Sequence, residues 1–393
     1  MRSPRLAFVC ADPGVPIFGT KGCSIHAQEI LRGFLRRGWT VDLAAYRPGG
    51  SPPPDLAEVR ILPLPSVSSA DPGDREVGLL RANDTLRDLL AASNAYDLVY
   101  ERHALFAHAG MEFAADRGIP GVLEVNAPLV EEQSRHRELV HLDEAVGRAR
   151  RAFAAATALV AVSDEVAEYL RSRTHGPNRI HVIPNGVDPA RFPEPTAVDG
   201  AGSRPFTVGF VGTLKAWHGL DILADAFARV LARLPETRLL VVGDGPERAA
   251  FLRRLEHLGA SHAVRFTGAV SPDVIPNLLG SIDVATAPYP SLGDFYFSPL
   301  KVYEYMAARR ATVASGIGQL RSLIVDGANG LLCRPGDPNA LADAILRLHD
   351  DPGLRDRLGR AARETILAAH TWDHVVDRTL AAAGVRRELA RAA

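Results

Sequence analysis

The chain has 393 residues, of which 47% are hydrophobic and 23% charged, and its formal net charge is -1 at pH 7. This length exceeds one typical core, so two domains are expected, and the balanced charge gives no general attraction to nucleic acid or acidic membranes. Three scattered cysteines favour a reducing cytoplasm, and no apolar run is long enough to span a bilayer.

Short β-rich runs alternate with helical stretches, which is the pattern of βα units in a parallel sheet. The first long helix is expected over residues 24–37, where apolar residues recur near a spacing of 3.6. Strands in the first half are expected over 6–10, 41–46, 59–62, 98–101, 122–125, 159–162 and 180–183. Those in the second half are expected over 208–211, 239–242, 264–267, 284–287 and 312–315.

A run rich in Pro, Gly and Ser separates the two sets of strands and indicates a break in the fold. We therefore predict an α/β protein of two Rossmann-like, doubly wound domains that face each other across a cleft. The first covers residues 1–188, a linker covers 189–205, and the second covers 206–371. A helix over 372–393 is expected to pack back on the first domain. Ligands of such sheets bind at the carboxyl ends of the strands.

Lysine is rare in this chain, and each lysine lies in a segment suited to hold phosphate. Lys21 lies in a glycine-rich loop, Lys215 follows a predicted strand, and Lys301 opens the segment Lys301–Met306 within a predicted helix. The other 42 of the 45 Lys and Arg residues are arginines. A compact ammonium with rotatable donors differs from a planar guanidinium, so retained lysines suggest phosphate contacts, although chance remains an alternative for any one of them.

Two glycine-containing turns follow strands in the second half. The strand before Gly212 leads into a loop that Lys215 and His218 flank, and a helix is expected to begin near His218. Glycine lets a ligand approach the backbone, and a following helix supplies N–H donors. The alternative interpretation is a tight turn between strand and helix, in which Lys215 is only solvated. The second turn, at Gly243 and Asp244, carries little information alone.

The segment from Phe297 to Glu304 has the composition of a helix start. Ser298 is expected as the N-cap and Pro299 as the first helical residue, which would make an anion site. Glu304 lies about a turn and a half further on, from where its carboxylate could accept two ribose hydroxyls. The alternative is a glutamate on the exposed face of an amphipathic helix.

With these motifs the chain resembles the retaining, two-Rossmann (GT-B) glycosyltransferases of family four (glycosyl transferases group 1), which use sugar nucleotides. The similarity runs nearly end to end and is specific only when the motifs are taken together. It rests on residues 22–26, 162–164, 183–192, 210–214, 243–246, 266–268 and 298–307.

The resemblance implies that Glu304 holds the ribose, that amides near Ser298–Lys301 hold the diphosphate, and that residues 265–270 flank the base. The expected nucleotide-sugar contacts are Lys21, Gly22, Gly212, Thr213, Gly243, Asp244, Phe266, Thr267, Val270, Tyr296, Phe297, Ser298, Pro299, Leu300, Lys301 and Glu304. The residues expected to act in catalysis are Lys215, His218, Arg102 and Glu304.

Several positions depart from the family's pattern. Thr213 stands where a basic residue is usual and His218 where a lysine is usual, so Lys215 and His218 together are expected to supply the charge. Tyr296 replaces the first glutamate of a paired motif that normally touches the donor sugar, and Asp294 is a possible substitute. Two further departures lie in the first half. Lys21 precedes Gly22, where the family usually has a second glycine. Arg102, followed by His103, stands at the strand position that holds a functional histidine in some relatives.

Acidic and polar residues near strand ends suggest an acceptor site in the first domain. The candidates are His26, Glu101, His103, Glu124 and Asn126, with Glu131 and Glu132 in the next loop. An acidic rim would suit an amine-bearing acceptor, although solvated loop glutamates are the commoner case. No Asp-x-Asp pair occurs in the chain, which argues against metal-dependent transferases.

The function expected from these observations is retaining transfer of a hexose or amino-hexose, with a UDP-sugar as the expected donor and without metal or other cofactor. The acceptor is expected to be small and hydrophilic, such as an aminocyclitol of an antibiotic pathway. One alternative is an envelope glycolipid or polysaccharide glycosyltransferase. Two others are a non-transferase GT-B enzyme and a two-lobed sugar-binding protein. The expected location is the cytoplasm, and monomer and homodimer stay open.

Overall fold

The structure is a computed structural model that describes residues 2–93, 95–193 and 204–385. The chain divides into two compact units. The first runs to Asn185 and also includes the segment from Trp372, and the second is Gly186–Thr371. Each unit contains a parallel sheet with alternating helices, which confirms the predicted α/β fold of two domains.

The first unit is built on a seven-stranded parallel sheet in the order β3-β2-β1-β4-β5-β6-β7. Its strands are β1 (Arg5–Cys10), β2 (Thr40–Ala45), β3 (Arg60–Pro63), β4 (Leu98–Arg102), β5 (Gly121–Val125), β6 (Ala158–Ala161) and β7 (Ile180–Val182). All lie within a few residues of the predicted runs. The strand order reverses between β1 and β4, and crevices of this kind are where doubly wound sheets bind ligands.

Six helices connect these strands. They are α1 (Gly22–Leu35), α2 (Pro72–Ala91), α3 (Ala109–Arg117), α4 (Leu129–His136), α5 (Leu142–Ala155) and α6 (Asp164–Arg171). Helix α1 begins earlier than predicted and buries Ile30, Leu31 and Phe34 completely. The Asp71 side chain caps α2 by accepting from the Asp74 amide at 2.9 Å, as expected for an N-terminal aspartate.

The second unit has a six-stranded parallel sheet in the order β10-β9-β8-β11-β12-β13. Its strands are β8 (Thr207–Val211), β9 (Arg238–Val242), β10 (Val264–Phe266), β11 (Val284–Ala287), β12 (Ala311–Ser315) and β13 (Leu331–Cys333). The sequence predicts the first five, whereas the short edge strand β13 was missed. The order reverses between β8 and β11, so the loops after these two strands flank the crevice.

The helices of the second unit alternate with its strands. They are α7 (Leu220–Arg233), α8 (Arg248–His257), α9 (Ile275–Gly280), α10 (Leu300–Ala307), α11 (Leu320–Leu323), α12 (Pro338–Asp350) and α13 (Pro352–Ala369). On α7 the apolar residues Leu223, Phe227 and Val230 recur at helical spacing and are fully buried against the sheet. No helix in the described ranges is long and apolar enough to cross a membrane.

The boundaries differ from the predicted ones. The second unit starts at Gly186, and Val187 and Phe192 are buried in its core. The first domain therefore ends at Asn185 and not at residue 188, and residues 189–193 of the predicted linker belong to the second unit. The rest of that linker, residues 194–203, lies outside the described residues. Helix α14 (Trp372–Ala382) packs on α1, where Arg37 forms ion pairs with Asp373 and Asp377, both at 2.8 Å. Residues 386–393 of the predicted terminal helix also lie outside the described part.

Candidate active site

Close backbone packing and a side-chain contact fix the conformation of the loop after β8 in the second unit. Gly219 has a φ of 65°, and a Cβ there would lie 1.7 Å from the Pro288 carbonyl oxygen. A short 3-10 turn, Ala216–His218, precedes it, so α7 begins at Leu220 and not at His218 as predicted. His218 Nδ1 lies 2.6 Å from the Thr213 carbonyl oxygen, which closes the loop. Such a loop can present side chains without reorganising.

The glycines at the ends of β8 and β9 serve packing between two loops. Gly243 has a φ of 132°, and a Cβ there would lie 2.1 Å from the Gly212 carbonyl oxygen. A Cβ on Gly245 would lie 2.4 Å from the Leu214 carbonyl oxygen. The sequence predicts Gly212 and Gly243 as points of ligand approach, and the structure adds that the two loops already touch there.

Lys301 lies beneath the loop after β8. Its Nζ is 4.2 Å from the centroid of the Phe210 ring and 5.6 Å from that of Tyr289, and a Cβ on Gly212 would lie 2.9 Å away from it. The Nζ atom is buried and has no hydrogen-bond partner among the described residues. Burial lowers the pKa of Lys301 to about 7, although Glu304 opposes this. An anion arriving at the loop would stabilise the charged ammonium.

The predicted cap of α10 is wrong by one residue. Pro299 occupies the N-cap position with a φ of -75°, the helix begins at Leu300, and no side chain caps it. Ser298 is buried and precedes the cap. The start of α10 presents the positive end of its helix dipole, which favours an anion.

His218 is neutral in this structure, which corrects the expectation that it shares the positive charge of the loop with Lys215. Burial lowers the pKa of His218 to about 3, and the nearby charges of Lys301 and Lys215 lower it further than the Thr213 carbonyl raises it. Lys215 is half-buried, and its Nζ lies 5.7 Å from the centroid of the Trp217 ring. Lys215 is consequently the permanent cation of this loop.

Glu304 has a cationic neighbour, Arg191, that is not among the predicted site residues. Its Oε1 lies 3.8 Å from Nη1 of Arg191, and the Glu304 side chain is 16% exposed. A second nitrogen of Arg191 donates to the Pro272 carbonyl oxygen at 2.8 Å. Arg191 lies in a segment that carries the family resemblance, which was the only signal for it. The carboxylate is thus held in place while it stays partly accessible.

The predicted base-flanking residues 265–270 lie at the end of β10 and just after it, next to the turn at Asp244 that follows β9. Asp244 accepts from the Gly245 amide at 2.8 Å and pairs with Arg248 at 3.4 Å. The Arg248 guanidinium is 5.4 Å from the centroid of Phe266. The Thr267 hydroxyl donates to the Gly268 carbonyl at 2.8 Å, and Val270 packs on the core of the unit. Apart from Lys21 and Gly22, which start α1 in the first unit, the predicted nucleotide contacts belong to this one.

A buried charged group lies in the first unit where β4 and β5 end. Arg102 Nη1 is 3.3 Å from Oε2 of Glu124, and His26 on α1 contacts the other oxygen of Glu124. The exposed fractions of His26 and Glu124 are 3% and 2%. Burial alone would raise the pKa of Glu124, but His26 and Arg102 lower it to about 2. These side chains are brought together as predicted, but they pair with one another.

Glu101 points away from this group, which contradicts its expected place in an acidic acceptor site. Arg102 is paired across the sheet with Glu124, so Glu101 is paired with Leu123 on the opposite face. Glu101 is fully buried against the first turn of α3, where a Cβ on Gly110 would lie 2.5 Å from its Oε2. Burial raises its pKa to about 8, more than the Met111 amide lowers it.

This burial predicts a pH-dependent stability that Glu101→Gln should remove. The folded-state pKa is raised, so the stability that this group contributes is complete below pH 4.5 and is lost as the pH rises toward 8. The decline is at most about 1.4 kcal/mol per pH unit. Urea unfolding of both proteins from about pH 5 to about pH 8 measures the difference. A difference in stability that stays constant with pH would contradict this account.

The other acceptor candidates differ in burial and in pairing. His103 is buried beside Phe153, with ring centroids 5.2 Å apart, and burial lowers its pKa to about 4. Asn126 follows β5 and is half-buried. Glu131 pairs with Arg173, whose guanidinium lies 4.2 Å from the centroid of the Tyr169 ring. Glu101, Glu124 and Glu131 are therefore not free negative charges that could attract an ammonium acceptor, as the sequence had predicted.

Two family models match the chain. Residues 20–191 match the model described as Glycosyltransferase Family 4, and residues 205–351 match the one described as Glycosyl transferases group 1. The two matches fall in the two halves of the sequence and together include most of it.

Individual proteins are similar to the chain over much of its length. A D-inositol 3-phosphate glycosyltransferase of Xylanimonas cellulosilytica is 28% identical over 92% of each chain. An alpha-D-kanosaminyltransferase of Streptomyces kanamyceticus is 28% identical over 61% of this chain and 62% of its own. Among solved structures, Anabaena HepE, crystallised with UDP and glucose, superposes with a TM-score of 0.73 at 19% identity, over 98% of this chain and all of its own.

Proposed function

Because the chain belongs to the family-four glycosyltransferases of the GT-B fold, we propose that it transfers a hexose or amino-hexose, with retention, from a nucleoside diphosphate sugar to a small hydrophilic acceptor. The observation that carries this proposal is the cationic loop at the crevice of the second sheet. Lys215 belongs to this loop. Lys301, in the first turn of α10, lies close to the loop at Gly212. Such a site fits a diphosphate.

The chemical task is to break the bond between the sugar C1 and a phosphate oxygen. The diphosphate gains negative charge as this bond lengthens, so cations fixed in advance stabilise the transition state more than the ground state. Lys215 supplies a permanent charge. Lys301 and His218 are weakened bases in the free protein. A diphosphate dianion beside them would raise both pKa values and favour the charged form of Lys301.

Retention would follow from attack on the face that the diphosphate leaves. The acceptor hydroxyl forms the new bond to C1 as the C1–O bond to phosphate breaks, and its proton passes to a phosphate oxygen of the leaving group. This route needs no carboxylate nucleophile, in keeping with the pairing of Glu124 with Arg102 and the full burial of Glu101. We propose UDP as the nucleotide, with Glu304 on the ribose.

The acceptor is proposed to be a cyclitol or aminocyclitol. Two relatives carry names that refer to an inositol phosphate and to kanosamine transfer. The paired state of Glu131 and Glu124 removes the electrostatic reason to require an amine, so we extend the proposal to neutral cyclitols.

A product assay with matched donor tests this choice. The acceptors are an aminocyclitol, myo-inositol, an inositol phosphate and phosphatidylinositol vesicles, and mass spectrometry detects the glycosylated product. We expect transfer to a free cyclitol. Transfer only to the lipid, accompanied by binding to the vesicles, would contradict the proposal and support a glycolipid glycosyltransferase instead.

Activity is expected without a divalent metal. The two lysines and the helix start already offer positive charge to the diphosphate, so a metal bridge is not needed for its departure. Turnover should be unchanged when excess EDTA is added to protein that was purified in chelator. Loss of activity in EDTA and its recovery with added magnesium would show that a divalent metal stabilises the departing diphosphate.

A further inference from the structure

An aromatic cluster lines the crevice side of the second unit between β8 and β11. Trp217 lies near parallel to Phe297, with ring centroids 6.4 Å apart and an interplanar angle of 13°. Phe297 also contacts Phe295, at 5.5 Å between centroids, and Phe295 contacts the buried Tyr289 at 4.8 Å. The cluster is therefore anchored in the core at one end and reaches the surface at Trp217.

Trp217 differs from the other two tryptophans of the chain. Its exposed fraction is 42%, whereas Trp39 and Trp372 are each 2% exposed. The loop that carries Trp217 is held by the αL residue Gly219 and by the His218 contact with Thr213. Trp217 is thus a large apolar ring that a fixed loop holds in solvent. Such a ring indicates a binding surface rather than a role in core packing.

The order of the strands assigns this surface to one end of a sugar nucleotide. The end of β10 and the loop after it, where the base is expected, lie on one side of β8, and β11 lies on the other. Trp217 follows β8 and Phe297 follows β11, so the pair lies on the side away from the base. Lys215, on the same loop as Trp217, belongs to the proposed diphosphate site. Beyond the diphosphate, on that side, comes the sugar.

We propose that Trp217, backed by Phe297, is the stacking platform for the pyranose ring of the transferred sugar. A pyranose presents C–H groups on its faces, and these pack on the electron-rich face of an indole while the hydroxyls stay at the ring edge. This inference rests on the proposed function, because it takes a nucleotide sugar as the ligand. It makes Trp217 a determinant of donor affinity and of sugar choice.

Trp217 itself provides the test, because it is the exposed tryptophan of the three. Acrylamide quenching of tryptophan fluorescence is compared in the free protein and with UDP, UDP-glucose, UDP-N-acetylglucosamine, GDP and GDP-mannose. We expect a sugar nucleotide that binds to protect Trp217 from the quencher, and the matching nucleotide to protect it much less. Equal protection by nucleotide and sugar nucleotide would overturn the inference and point to stacking of the base.

Calorimetry of variants supplies the second readout. Trp217→Leu should weaken binding of the sugar nucleotide about three- to tenfold, the scale of one aromatic contact, and leave the affinity for the nucleotide unchanged. Unchanged nucleotide affinity also shows that this variant folds. Trp217→Phe should restore most of the loss, and Val325→Ala, at an apolar side chain that is 61% exposed elsewhere in the unit, should cause none.

The outcomes separate this inference from the proposed function. If none of the nucleotides or sugar nucleotides raises the Tm or gives a calorimetric signal, the proposed function fails. If a sugar nucleotide binds but Trp217 stays open to acrylamide and Trp217→Leu binds normally, only the platform fails.

Discussion

Lys215→Ala is expected to lower kcat about a hundredfold, the scale found when one preorganised donor to a developing charge is removed. The reason is the electrostatic state of the loop after β8. His218 is neutral, since burial lowers its pKa to about 3, and Lys301 is half-neutralised by burial, since its pKa is about 7. Lys215 is left as the permanent cation beside the leaving diphosphate. Steady-state kinetics at saturating donor and acceptor measure the effect.

Arg253→Ala is the matched control for this loss of charge. Arg253 is an exposed cation on α8 of the same unit, away from the loop after β8, and its removal should leave kcat unchanged. A Lys215→Ala protein with near-normal kcat and a raised KM would mean that Lys215 binds the ground state and transition state equally. Equal losses of kcat in the two variants would mean that the overall positive charge of the unit, and not the position of Lys215, affects turnover.

Glu304→Gln is expected to raise the Kd of the donor nucleotide about tenfold or more, because a charge-assisted hydrogen bond contributes about 1.5–3 kcal/mol. The carboxylate is 16% exposed, and Arg191 at 3.8 Å orients it. The substitution keeps the shape of the side chain and removes its charge. Calorimetry with UDP measures the change, and Glu364→Gln, at an exposed position on α13, is the control. Unchanged UDP affinity in Glu304→Gln would refute the ribose contact.

The alternation of strands and helices could be predicted because buried parallel strands read as short apolar runs between helical patterns. Strand β13 was missed because it has only three residues, Leu331–Cys333, too few for any periodicity. The cap at Pro299 differs by one residue from the predicted start, which is the usual uncertainty at a helix end. The fold class therefore follows from sequence, while short edges and exact ends do not.

The site was predicted less completely, and the reasons are physical. Glu101 and Glu124 both stand near strand ends, yet the two-residue period of a strand sends their side chains to opposite faces once the register is known. The neutrality of His218 depends on burial and on Lys301, which is distant in sequence. Arg191 meets Glu304 only through the fold of the second unit. Each of these features depends on contacts between residues far apart in sequence, which local sequence patterns do not reveal.

The central claim is that this chain moves a sugar from a nucleoside diphosphate to an acceptor hydroxyl with its anomeric configuration kept. Proton NMR of one reaction, with UDP-glucose or UDP-N-acetylglucosamine and a cyclitol acceptor, follows donor, product and nucleotide together. We expect free UDP to form in step with a product whose anomeric coupling matches that of the donor. An inverted anomer would contradict retention. UDP release without any glycosylated product from the whole acceptor panel would contradict transfer itself.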